Sequence, residues 1–298
     1  MTNISVRYLL KKLAAHALGN RFVFAATDHL INQPKFPFIR IVGYHDTPAC
    51  YADRLEAQLK WFSENYVNCD SDSLDQFLRD GIWPHKKPGL IISFDDGLRS
   101  NVTIALPLLE RFGLTGWFMV PSVVADICPP TDRQFAYDAL IPFNEQGLED
   151  RLFVSWEDLR SIVNQGHVVC CHSMHHKRLG EALSAPELIE EIAGAKAALE
   201  RGIGSKVDSF AWVGGESYSF SSGAFEEMKR AGFDRIFSTN CSPILPKQSP
   251  LCLERNHVDA AFGLDEVRLS IGGLYDLFYR RKRLETSQTI GFDGSILR

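Results

Sequence analysis

After Pro37 the chain alternates short apolar runs with amphipathic stretches of helical length, and this rhythm constrains its fold more than any other feature. The runs are Phe38 to Tyr44, Leu90 to Phe94, Thr115 to Val120, His167 to Cys171, Ser209 to Val213, Arg235 to Ser238 and Leu251 to Leu253. Helical spacing appears over Ala52 to Tyr66, Asn101 to Phe112, Ser222 to Ala231 and Leu264 to Arg283. Two further helices are announced by the caps Ser155-x-x-Asp158 and Ser184-x-x-Glu187, in which each side chain satisfies an orphan backbone N–H of the first turn. Short strands alternating with helices make parallel βα units. The expected fold class is therefore α/β: a (β/α) barrel, distorted or incomplete, with parallel strands and outer helices.

At 298 residues the chain can bury one large α/β core or two small ones. Its net charge of -5 argues against a nucleic-acid partner, which calls for a basic face. Seven scattered cysteines without a C-x-x-C pair suit reduced, core-filling thiols. Residues 1–36 are expected to hold an amphipathic helix and a linker. Val6, Leu9, Leu10, Leu13, Ala17 and Leu18 share one side and Arg7, Lys11 and Lys12 the other, so the helix packs on the domain or makes peripheral contact with a membrane. Residues 37–284 form the expected catalytic domain. Within it, 122–152 read as an irregular insertion that forms a lid or a pocket wall, and 285–298 as a polar tail. With no export signal or spanning segment apparent, the expected location is the cytoplasm, with the inner face of the membrane within reach.

The polar residues fall where such a fold concentrates chemistry. His45, Asp95-Asp96 and the cluster His172, His175, His176 each follow a predicted strand directly, so three distant segments can converge at the C-terminal ends of parallel strands. Two histidines four apart, one carboxylate and an open position suit one divalent ion: zinc by default, with cobalt, manganese, iron or nickel as alternatives. The second carboxylate remains free to take a proton from water. Each piece also has a plainer reading: Asp-Asp-Gly as a turn, His45 as a structural histidine.

Ile92-Ser93-Phe94-Asp95-Asp96-Gly97 and His172-Ser173-Met174-His175-His176 resemble two motifs of the polysaccharide deacetylases, the NodB-homology carbohydrate esterases. The likeness runs from about Ile39 to Val258. It implies a catalytic base at Asp95 and a metal triad of Asp96, His172 and His176. It also implies a substrate that is an N-acylated amino sugar in a polysaccharide or glycolipid precursor, as in O-antigen-like surface-polysaccharide work. The general acid falls to His45, in a Tyr-His segment, or to His257. Phe210-Ala211-Trp212-Val213-Gly214-Gly215 stands where the family carries an arginine-containing motif. Trp212 and Gly214 are thus the expected substrate contacts, and Asp95 is expected to lack the family's arginine support. A deformylase or other amidohydrolase, and a catalytically silent metal- or carbohydrate-binding homologue, are the competing expectations.

Overall fold

The computed structural model describes residues 37–145 and 150–292, and the expected helix at Ser5 to Leu18 lies outside them. In chain order the elements are β1 (Ile39–Tyr44), α1 (Ala52–Asn65), β2 (Val67–Asn68), α2 (Ser71–Asp80) and β3 (Gly89–Phe94). A π turn over Asn101–Ala105 leads into α3 (Leu106–Phe112), followed by β4 (Gly116–Val120), α4 (Thr131–Asp138), α5 (Trp156–Asn164) and β5 (Val168–Cys171). Then come α6 (Ala185–Ile189), a π turn over Glu190–Gly194, α7 (Ala195–Ile203), β6 (Ser209–Ala211), α8 (Ser222–Arg230) and β7 (Arg235–Ser238). The chain ends in β8 (Leu253–Glu254), β9 (Asn256–His257), α9 (Leu264–Ile271), α10 (Leu274–Phe278) and α11 (Arg280–Thr289).

Among the described residues nine strands form one parallel sheet in the order β8-β7-β6-β5-β4-β3-β1-β9, with β2 paired to the start of β3. The two ends of this path, β8 and β9, are separated in sequence by Arg255 alone. The segment Leu253–His257 therefore pairs with β7 on one side and β1 on the other, drawing the sheet nearly closed into a barrel. Alternation along the strands sorts the core into two faces. Ile41, Ile91, Trp117, Met119, Cys170, Ala211, Phe237 and Leu253 fill the interior. Val42, Ile92, Phe118, Val169, Phe210 and Ile236 pack outward under the helices. The (β/α) barrel expected from the βα rhythm is the observed architecture.

Besides the two-residue strands β2 and β9, which the sequence does not announce, four features differ from the sequence expectation. Helix α2 was not anticipated, although Asp70 caps it by accepting from the Ser73 N–H (2.9 Å) and Gly81 ends it at φ +74. Its Leu74 and Phe77 join the interior core, and its Asp75 pairs with Arg235 at the start of β7 (2.7 Å), so α2 plugs the N-terminal end of the barrel. The 122–152 segment contains α4 instead of being irregular throughout. The single last helix becomes three, because Gly272-Gly273 breaks it with Gly273 at φ +85, and Tyr279 separates α10 from α11. Nor does a tail begin at Glu285. Thr286 and Ser287 are buried, and Thr286 accepts from Asn240 (3.3 Å), docking a polar helix onto the barrel seam.

Beneath α11, Glu254 is 1% exposed and accepts from Ser238 Oγ and the Asn240 N–H. Burial raises its pKa above the ordinary 4.5 despite those bonds and the nearby Arg283. For a group raised on folding, the stabilising protonated form is complete below the unfolded value and is lost as pH rises through the folded one. Glu254→Gln is therefore expected to gain thermal stability over the parent between pH 4 and pH 7, by roughly 3–6 °C per pH unit of upward shift. Melting curves at both pH values check this, and a difference independent of pH would remove Glu254 as a titrating element of the fold.

Candidate active site

The C-terminal ends of β1, β3, β5 and β9 deliver the polar residues singled out from the sequence. Asp95 and His172 continue the inward faces of β3 and β5, and both are buried. Asp96 then takes φ +73, and in the turn after β5 Ser173 takes +63 and His176 takes +57. Left-handed backbone is uncommon for such residues and persists where the surroundings enforce it. Here Glu191, fully buried, accepts from the Met174 N–H (3.1 Å) and the His175 N–H (2.9 Å) and bonds the His175 ring (2.8 Å). His175 is thus the residue that pins the turn, while His172 and His176 face inward together.

Asp96, His172 and His176 each offer a ligand atom within 4.8 Å of the others. Nε2 of His176 lies 3.0 Å and Nε2 of His172 3.6 Å from Asp96 Oδ1. These distances bracket the roughly 3.3 Å edge of a tetrahedron with metal–ligand bonds of about 2 Å. Each ring is oriented from behind: His172 Nδ1 donates to the Ala211 carbonyl (2.9 Å) and His176 Nδ1 to the Ala139 carbonyl (2.8 Å). With those protons committed, the Nε2 lone pairs turn toward Asp96, whose two buried oxygens have no donor. Three convergent lone-pair groups in a buried spot call for positive charge at their centre. A proton on Nε2 can stand in for that charge: against the cost of burial, hydrogen bonds from His172 and His176 then hold the Asp96 carboxyl well below the usual range, and Asp96 in turn outweighs burial to raise His176. The donor set therefore fits a divalent transition metal.

Asp95 is held differently. Arg255 Nη1 donates to its Oδ1 (2.5 Å) and Nη2 to its Oδ2 (3.0 Å), and Nη1 also reaches Ser93 Oγ (3.2 Å). Burial alone would raise the Asp95 pKa, but Arg255, then His172 and His45, outweigh it and lower it. The sequence expectation that Asp95 lacks arginine support is thus corrected. Ala211 cannot give it, and the seam residue Arg255 does. The clamp is a product of the barrel seam, where Leu253, Arg255 and His257 share one strand face.

His257 brings its ring to 5.4 Å from that of His45, so the two competing acid candidates share one place. They stand on the wall of a cleft of about 610 Å³, lined also by Asp46, Tyr51, Phe143, Asn144 and Asp259. Partial desolvation against the cleft wall, and then the neighbouring His45, lower the His257 pKa. The 122–152 insertion contributes Pro142, Phe143, Asn144 and Glu145 to the cleft and Ala139 to the orientation of His176. It is tied down by Asp46, which accepts from the Asn144 N–H (2.6 Å), and by Asp132, which accepts from the Leu152 N–H (2.9 Å).

Of the two expected substrate contacts, Trp212 is placed otherwise. Trp212 is 2% exposed and packs on Phe220 at 5.0 Å and Phe210 at 6.4 Å, so its ring is a core element with no face for a ligand. Gly214 sits at φ +74, where a Cβ would meet Glu216, Ser219 and Arg178 within 3.0 Å; its need is the tight turn itself.

Residues 84–236, just over half of the chain, match the profile of the polysaccharide deacetylase family. No curated protein sequence matches the chain. Among solved structures the fold is similar to that of the Streptococcus pyogenes deacetylase PplD, determined in complex with acetate. That match has 15% identity and a TM-score of 0.63 and covers 78% of this chain and 98% of that one. A de-N-acetylase from Aggregatibacter actinomycetemcomitans matches at 18% identity and a TM-score of 0.61, over 78% and 99% of the two chains. The BpsB deacetylase domain from Bordetella bronchiseptica matches at 16% identity and 0.59, over 74% and 96%. At these identities the likeness is one of fold.

Proposed function

The chain belongs to the polysaccharide deacetylase family, and from that premise we propose that it removes the acetyl group from the nitrogen of an amino sugar within a polysaccharide or its glycolipid precursor. The observation that carries this reading is the division of labour between adjacent carboxylates. Asp96 has bare, buried oxygens beside His172 and His176, whereas Asp95 is clamped by Arg255 on both oxygens.

Asp96, His172 and His176 would hold one divalent ion, for which zinc is the first choice by donor set. When bound, it supplies a Lewis acid that polarises a carbonyl and acidifies water. Asp95, kept ionised by Arg255, accepts a proton from the attacking water. His45, on the cleft wall, gives a proton to the departing amine, so acetate and the free amino sugar leave together. His257, whose lowered pKa leaves its ring less often protonated, sits beside His45 as a neighbour. The insertion residues Phe143 and Asn144 offer an apolar face and an amide to a sugar ring.

Acetate release from N-acetylated amino-sugar oligomers tests the reading, with Asp95→Asn as the inactive control. Acetate from the parent and none from the control supports it; formate released in preference from N-formyl substrates would move the assignment to a deformylase. His45→Ala is expected to lower kcat by about 100- to 10,000-fold, the usual range for a general acid, and His257→Ala by much less. The reverse ranking would transfer the acid role to His257.

A further inference from the structure

Away from the catalytic cleft, the C-terminal helices present a surface of mixed character. Nine large apolar side chains are exposed among the described residues, and three of them fall between positions 277 and 284: Leu277 (63%), Phe278 (70%) and Leu284 (39%). Leu277 and Phe278 end α10; Arg280 and Arg281 open α11, and Leu284 lies one turn further on the same exposed stripe. The acids nearby are engaged elsewhere: Asp276 pairs with Arg40 (2.8 Å) and Glu285 with Arg281 (2.7 Å). Among the described residues no acid pairs with Arg280, and Arg281 stays 91% exposed in spite of its pair, whereas half-buried Lys282 turns away, its ammonium beside Gly215 and 5.3 Å from the Tyr279 ring. In a chain of net charge -5 this is a local reversal of sign.

We propose that this surface seats the protein on an anionic lipid bilayer, Leu277 and Phe278 entering the interface while Arg280 and Arg281 meet phosphate headgroups. Protruding Phe and Leu beside exposed cations suit a boundary that is apolar below and anionic above. The platform is preformed: buried Arg283 bonds the carbonyls of Asn240 (3.0 Å), Cys241 and Asp276 (2.9 Å), fixing α10 and α11 to the seam so that docking need not order them. Among the described residues no helix is long and apolar enough to cross a membrane, so the contact is a peripheral one.

Co-sedimentation of the full chain with phosphatidylcholine vesicles, with and without phosphatidylglycerol, tests the proposal. Binding is expected only to the anionic vesicles and to weaken with salt. Each basic residue removed is expected to cost about fivefold in partitioning, so Arg280→Gln with Arg281→Gln should cost about 25-fold. Leu277→Ser with Phe278→Ser should abolish binding, while melting temperature and activity on a soluble oligomer stay at parental levels in both variants. Absence of binding, equal binding to neutral vesicles, or full binding by both variants would overturn it. So would a change of oligomeric state in the variants, which would assign the surface to a second copy of the chain.

Discussion

Arg255→Met is expected to destabilise the protein by about 3–5 kcal/mol, because it leaves the Asp95 carboxylate buried without a counter-charge. The same change is expected to lower kcat by roughly 100-fold or more, since the base loses the two bonds that fix its position. Asp95 and Arg255 are both almost fully buried, and the guanidinium spans both carboxylate oxygens. A merely structural ion pair would give the first effect alone. The double variant Asp95→Asn with Arg255→Met separates them: with neither charge left, most of the lost stability should return, while activity stays absent. Denaturant unfolding and steady-state kinetics on these two variants and on Asp95→Asn alone measure both. A stable, fully active Arg255→Met would show that Asp95 needs no clamp.

The second large effect concerns Asp96. Asp96→Ala is expected to reduce kcat/KM by about 1,000-fold or more, the scale of several kcal/mol of Lewis-acid stabilisation. A readout independent of turnover follows from binding linkage. In the parent, a cation at a thousand times its Kd adds about 4 kcal/mol to the folded state, or roughly 8–16 °C in Tm. Asp96→Ala should show almost none of that shift, because it removes the one negative ligand between two neutral imidazoles. An equal shift in parent and variant would place the cation elsewhere.

The sequence carried the fold because its information is periodic. Alternating βα units with the caps at Ser155 and Ser184 and the stop at Gly113 write parallel strands and outer helices directly, and both capping boxes form as read. It also carried the site as far as neighbours along the chain could: Asp95-Asp96 and His172 with His176 end strands that lie one strand apart in the sheet. What stayed hidden is what depends on closure. Arg255 reaches Asp95 across 160 positions, and only the pairing of β8 and β9 with opposite ends of the sheet brings it there. Two-residue strands are too short to show an alternating pattern, so the seam was invisible and the clamp with it. Trp212 misled for a related reason. A residue just past a strand end is equally able to face the cleft or the outer core, and here Phe210 and Phe220 claim its ring. The missed α2 had its signals in plain view, in Asp70, Leu74, Phe77 and Gly81.

Metal content of the purified protein, measured beside Asp96→Ala and His172→Ala, tests the central claim most directly. The account predicts close to one equivalent of a divalent transition metal in the parent, lost in both variants while each remains folded. A parent that takes up no metal after incubation with zinc or cobalt, or variants that keep it, would contradict the account.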